Sequence, residues 1–229
     1  MELENIEIGK VAGAKREARL DSVIHEAEVV IKLDGRTRQR LYCLPTALEE
    51  LALGYLLSMG ITVSDIEIEW GANKISVSAK RAGTIKPQKV TSRLRITESD
   101  VFDFIKKLDE NNPLYKKSGA THVVGVFHGS GAIFVEDISR HCAIDKIIGL
   151  SLKKGIDLPQ SVLVTSCRQT LSTIKKGIYA RVPIIITISA TTYLAIESAQ
   201  LMGITLVGFA RDRRFNIYSH DWRILRDSQ

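Results

Sequence analysis

Short apolar runs alternate along most of the chain with segments whose apolar residues recur at helical intervals. Residues 1–24 lack either pattern and read as a polar lead-in. Residues 28–33 form the first apolar strand. Asp34-Gly35 then supplies a two-residue hairpin turn, and a second strand runs to about Cys43. Pro45 and Thr46 open a helix, with Thr46 and Glu49 at capping-box spacing and Gly60 at its stop. Ile66, Ile68 and Trp70 alternate, as do Ile75, Val77 and Ala79, which predicts a hairpin through residues 71–73. This is a small α+β unit. Residues 80–95 are basic, weakly patterned and contain Pro87, so they mark a linker.

A second rhythm follows. Thr97 caps a helix with Val101, Phe102, Ile105 and Leu108 on one face, ended by Asn111-Asn112-Pro113. Strands at 123–127 and 132–135 turn at His128-Gly129-Ser130-Gly131. Helix 140–153, strand 161–165, helix 170–180, strand 184–188, helix 192–202 and strand 204–209 come next. Strands that alternate with helices and are apolar throughout predict an α/β class with a largely parallel sheet covered by helices. The expected division is 1–96 for the small domain and 97–229 for the α/β domain.

Composition narrows the class. The 229 residues are 45% hydrophobic and 25% charged, as in ordinary globular proteins. No apolar run approaches the roughly 20 residues of a membrane span, and residues 1–20 carry no signal-peptide core, so a cytoplasmic protein without membrane contact is expected. The net charge of +6 permits an anionic partner, but aromatic residues do not interleave with the basic ones and nucleic acid is not expected. The three cysteines, Cys43, Cys142 and Cys167, form no C-x-x-C pair, which speaks against a disulfide framework and a structural zinc site.

Candidate chemistry lies at the carboxyl ends of the predicted strands, where open α/β sheets bind ligands. Those loops are polar: Glu136, Asp137, Arg140 and His141; Ser166, Cys167 and Arg168; Ser189, Thr191 and Thr192; Phe209 and Arg211. Helix N-termini attract anions, and hydroxyls and arginines add a phosphate-binding rim. His122 precedes the first strand of this half and joins the set. Singly, Ser189, Thr191 and Thr192 could be mere helix caps. Asp145 and Lys146 read as a helix-surface pair. Gly129-Ser130-Gly131 is a hairpin turn, so neither a P-loop nor a dinucleotide fingerprint is present, and a zinc deaminase's cysteine pair is missing. Cys167, beside Arg168 and ahead of a helix, is the one cysteine placed for an exposed, ionised thiol; Cys142 and Cys43 read as packed.

The same loops resemble the FdhD family. The matching blocks are Leu44-Pro45 with Leu51-Ala52-Leu53-Gly54 and Gly60-Ile61; Ser118-Gly119-Ala120-Thr121-His122; Glu136-Asp137 with Arg140-His141, Ala143, Asp145-Lys146 and Gly149; and Ser189-Ala190-Thr191-Thr192, Leu194-Ala195 and Thr205-Leu206-Val207-Gly208-Phe209, closed by Asn216-Ile217-Tyr218. The resemblance implies a cytidine deaminase-like three-layer domain without its zinc, and a homodimer. It further implies binding of bis-molybdopterin guanine dinucleotide, a cysteine desulfurase as sulfur donor and formate dehydrogenase as client. The family's sulfur-carrying C-x-x-C loop has no counterpart in residues 80–97. Three readings stay open: a sulfurtransferase working through a displaced Cys167, a cofactor-binding chaperone without sulfur transfer, and a nucleotide-binding enzyme of other chemistry.

Overall fold

The computed structural model describes residues 2–72, 74–129 and 131–227. Where the sequence reads as a polar lead-in, the chain forms a long antiparallel hairpin of β1 (Leu3–Ala12) and β2 (Lys15–Ile24). The ribbon is almost wholly exposed, and Ile6 and Ile8 lie opposite Asp21 and Arg19. Alternation in sequence reports burial of one face, so a pair that buries neither leaves no such signal.

β3 (Ala27–Leu33) and β4 (Arg36–Cys43) turn at Asp34 and Gly35, whose φ values of 51° and 75° suit the two-residue hairpin. α1 (Leu48–Ser58) starts just past the expected cap: Ala47, left-handed at φ 49° and without a side-chain cap, occupies the N-cap in place of Thr46. β5 (Ile61–Trp70) and β6 (Ile75–Thr84) complete a sheet of order β4-β3-β6-β5, in which β3 and β6 run parallel. Part of the predicted turn between them, Asn73, lies outside the described residues. Val29, Ile31 and Leu33 of β3 pack on Leu48, Leu51 and Leu56 of α1. Residues 85–95 form no regular element yet are fastened: Val90 N–H donates to the Met202 carbonyl at 2.8 Å, and the Arg223 guanidinium donates to the Ser92 carbonyl.

The second half contains β7 (Ile96–Thr97), α2 (Glu98–Glu110), α3 (Pro113–Ser118), β8 (His122–His128), β9 (Gly131–Asp137), α4 (Arg140–Lys153), β10 (Ser161–Thr165), α5 (Leu171–Tyr179), β11 (Ile184–Thr187), α6 (Tyr193–Met202), β12 (Thr205–Arg211), β13 (Arg214–Ser219) and β14 (Ile224–Leu225). Thr97 and Asp100 cap α2 reciprocally. The main sheet has order β13-β12-β11-β10-β8-β9. Only β10, β11 and β12 pair in parallel, whereas β8, β9 and β13 join antiparallel, so the sheet is mixed and not largely parallel. Burial on both faces makes a strand apolar throughout whatever its direction, and that is why β8 reads like a parallel strand. Ser130, in the β8–β9 turn, lies outside the described residues. Ile144, Ile148, Ile174, Ala195 and Ala199 of α4, α5 and α6 cover one face through Val124, Leu163 and Ile185. Val101 and Leu108 of α2 cover the other through Val123, Val164 and Ile186. Among the described residues no helix is long and apolar enough to cross a membrane.

α4 is the seam between the two sheets. Gly54 of α1 and Gly149 of α4 let the helices touch backbone to backbone: a Cβ on Gly54 would collide with the Asp145 carbonyl, and one on Gly149 with the Glu50 carbonyl. Asp145 and Lys146 are not a surface pair. Both are buried and point to different partners. Asp145 binds Lys176 of α5 through both oxygens at 2.6 and 2.7 Å, and burial raises its pKa to about 6 against the pull of that lysine. Lys146 donates to Asp137 Oδ2 at 2.6 Å and to the Leu44 carbonyl at 2.7 Å, with both charged side chains at 0% exposure. Asp137 also accepts from the Leu44 and Ser139 amides. One buried charge pair thus ties β4, β9 and α4 together.

Two outcomes are expected in urea unfolding. Lys146→Met should cost about 3–5 kcal/mol by stranding a buried carboxylate, and adding Asp137→Leu should recover part of that loss. Gly149→Ala should destabilise by about 1–3 kcal/mol or more through overpacking, although helix propensity alone favours alanine by about 1 kcal/mol.

Candidate functional site

β10, β11 and β12 end on one edge of the main sheet. The start of β8 and the end of β9 lie on the same edge, because Val124 pairs with Thr165 and His122 with Asp137. The strand-end loops singled out in the sequence therefore do converge. They are laced together by hydrogen bonds. Thr165 Oγ1 accepts from the Cys167 amide at 2.9 Å, and Thr187 Oγ1 accepts from the Ser189 amide at 3.0 Å while donating to the Cys167 carbonyl at 2.7 Å. The Gln169 amide donates to the Ala190 carbonyl, Thr192 to Gln169 and Phe209 to Ser189, each at 3.0 Å. Ser166 and Val123 exchange two bonds: each backbone amide donates to the other residue, onto the Val123 carbonyl and the Ser166 Oγ. Hydroxyl-bearing residues at these strand ends satisfy the loop backbone and so hold the rim rigid.

His122, Ser166 and Arg211 line a cavity of 610 Å³ on the α2 side of this edge. Its other walls include Ile105, Leu108 and Asn112, which the sequence assigns to a helix and its end, and Asp109 and Tyr115, which the sequence does not single out. The signal that could have found them is their position just before the Ser118–His122 block. Arg140 and His141 open α4. Burial, then Arg140 and Arg168, lower the His122 pKa. Burial, then Lys176 and Arg140, push His141 down to about 4. Both imidazoles are neutral at pH 7 beside fixed positive charge. Arg168 and Thr192 are exposed, and Ser189 and Thr191 are half-buried. Thr192 borders a shallower 560 Å³ depression between the starts of α5 and α6, with Thr170, Ser172 and Lys175. Phe209 has a left-handed backbone at φ 53°, and its ring lies 6.0 Å from the Arg211 guanidinium.

Three of the expected contacts are built differently. The Glu136 carboxylate accepts from the Leu114 and Tyr115 amides, each at 2.9 Å, and from Thr121 Oγ1 at 2.8 Å. It caps α3 and holds the cavity wall. Asp137 is wholly committed to the buried latch with Lys146. Cys167 is neither exposed nor ionised: it is 0% exposed within the apolar cluster under α4 and α5, and burial raises its pKa to about 11. The tight turn after β10 directs its thiol into the core while Arg168 faces solvent.

Four buried side-chain atoms lack a hydrogen-bond partner among the described residues: Asn112 Oδ1, Arg140 Nε, Gln169 Oε1 and Thr191 Oγ1. All four belong to this edge of the sheet or the cavity beside it. Buried polar groups are rarely left unpaired, so their concentration marks a place built to receive polar partners. Arginines and the N-termini of α4, α5 and α6 place positive charge and free amide dipoles at the same edge.

Residues 69–225 match the model of the FdhD/NarQ family. The chain is 34% identical to the sulfur carrier protein FdhD of Methanothermobacter thermautotrophicus over 90% of its own length and 92% of the relative's. It is 29% identical to the protein of the same name from Sulfurisphaera tokodaii, covering 98% of this chain and 100% of that one. A crystal structure from Desulfotalea psychrophila, provisionally assigned as a formate dehydrogenase accessory protein, shares the mixed α/β fold at a TM-score of 0.86 and 23% identity, over 98% of this chain and 100% of that one. By sequence over most of its length, the chain belongs to the FdhD/NarQ family.

Proposed function

We propose that this protein is a formate dehydrogenase accessory protein that binds the guanine-dinucleotide form of the molybdenum cofactor at the strand-end edge and assists its insertion. The observation that carries the reading is the clustering of Asn112 Oδ1, Arg140 Nε, Gln169 Oε1 and Thr191 Oγ1, all buried and without a partner among the described residues, on that edge and in the cavity beside it. A ligand with several phosphates and a heterocyclic edge supplies acceptors for Arg140 and Arg168 and donors for Asn112 and Gln169. The names carried by the relatives and by the structural neighbour support the client and the sulfur-handling setting. A cysteine desulfurase as sulfur source, a homodimer and the cytoplasm belong to the same proposal. The larger domain would then be a cytidine deaminase-like unit adapted to hold a ligand without zinc.

Within this proposal, cofactor holding is favoured over a relay through Cys167. A thiol needs access and a thiolate to accept sulfur, and Cys167 is fully buried with a raised pKa.

Calorimetry is expected to show GDP binding more tightly than ADP, and Arg168→Ala should weaken GDP by about 1.5–3 kcal/mol, the worth of one charged hydrogen bond. Absence of any guanine-nucleotide binding would refute the reading. The pH dependence has a definite sign. His122 and His141 sit below their ordinary pKa in the free protein, a bound phosphate raises them, and binding therefore takes up protons. Affinity should rise as pH falls from 7.5 through 6.5 toward 5.5, and His122→Gln with His141→Gln should flatten the profile.

Native Cys167 should resist iodoacetamide at pH 8 until the protein is unfolded. Incubation with a cysteine desulfurase and cysteine should leave it free of persulfide. A persulfide mapped to Cys167 would reinstate the relay.

A further inference from the structure

We propose that Cys43 and Cys142 are a redox-active pair that hydrogen peroxide converts to a disulfide, stapling the four-stranded sheet to α4. Cys43 ends β4, and Cys142 lies in the first turn of α4. They are distant in sequence yet share one apolar cluster, at 0% and 1% exposure. Their backbones are pinned beside the thiols. Leu44, next to Cys43, accepts from Lys146, one helical turn beyond Cys142, at 2.7 Å, and its amide donates to Asp137. Both side chains enter that cluster, because these contacts bring the end of β4 against the first turns of α4, and each thiol perturbs the other's ionisation. Cys167 lies in a different cluster.

Cys142 is the better nucleophile. It stands in the first turn of α4, where the helix N-terminus favours a thiolate and its amide donates to Ser139 Oγ, whereas the Cys43 thiol at the end of β4 is pushed up. The charged groups facing the pair are Lys146, Asp137 and, for Cys142, Asp145. The Cys142 thiolate attacks one peroxide oxygen, the O–O bond breaks, and the departing hydroxide leaves as water with a proton, giving a sulfenic acid. Cys43 sulfur then attacks Cys142 sulfur, the S–O bond breaks, and the second water leaves with the Cys43 proton. Two thiols and one peroxide become one disulfide and two waters. Both sulfurs are buried, so reaction follows a local opening that admits peroxide to the cluster. A disulfide of this kind in a reducing compartment senses oxidant and does not build the fold. α4 also presents Arg140 and His141 to the strand-end edge, so the staple would fix that edge as well. This last consequence alone rests on the binding role proposed above.

The test treats the folded full-length protein with excess peroxide, removes the oxidant, then denatures and alkylates before non-reducing peptide mapping. The expected product is a Cys43–Cys142 cross-linked peptide lighter by two hydrogens, with Cys167 alkylated. The oxidised protein should melt roughly 5–15 °C higher, and dithiothreitol should reverse both changes. Cys167→Ser should keep the cross-link, and Cys142→Ser should lose it. Recovery of Cys43 and Cys142 both alkylated, a sulfinic acid on Cys142, or a bridge to Cys167 or to a second molecule would overturn the proposal. The wild-type map decides even if a cysteine variant fails to fold.

Discussion

A lysine ammonium removed from water is tolerated only when its charge and its donors are met, and Lys146 satisfies that condition through the Asp137 carboxylate and the Leu44 carbonyl. Asp137 in turn accepts from the backbone of Leu44 and Ser139. The cluster draws on the end of β4, the end of β9 and the second turn of α4. Apolar packing alone specifies how closely sheet and helix approach; a buried pair with directional bonds also specifies their registration. Glycines at 54 and 149 then let α1 and α4 meet backbone to backbone.

That registration sets the strand-end edge. Asp137 leads through Ser139 into α4, so the latch aims Arg140 and His141. Asp145, one residue before Lys146, reaches the other way to Lys176 and fixes α5. Two buried acids on either side of one helix turn thereby orient two helix N-termini toward one edge of the sheet. The places of Arg140 and His141 at that edge are thus set by charges the solvent never sees.

Much of this was legible in the sequence. The bounds of α4 and β10 and the Asp34-Gly35 turn follow from periodicity and turn chemistry, and the convergence of polar loops follows from the rule for strand ends. What escaped was long-range. Parallel pairing of β3 with β6 depends on a crossover that periodicity does not report. Glu136 and Asp137 read as ligand contacts because acidic residues in a polar loop look alike whether they face solvent or a buried amide. Cys167 read as a candidate nucleophile because its neighbours in sequence are favourable, yet a turn of one residue decides whether a side chain faces solvent or core. Asn112 looked like a helix stop, and only the third dimension shows it lining a cavity.

The α3 cap has a thermodynamic corollary. None of the α3 residues is buried, and the segment is held by Glu136 bonds to its first-turn amides and to Thr121. Lifting it from the cavity would break charge-assisted hydrogen bonds while exposing little apolar surface. Such an opening has a small heat-capacity change and a shallow dependence on denaturant, unlike global unfolding. Any opening of the cavity wall would therefore vary less with temperature and denaturant than the unfolding of the core beneath it.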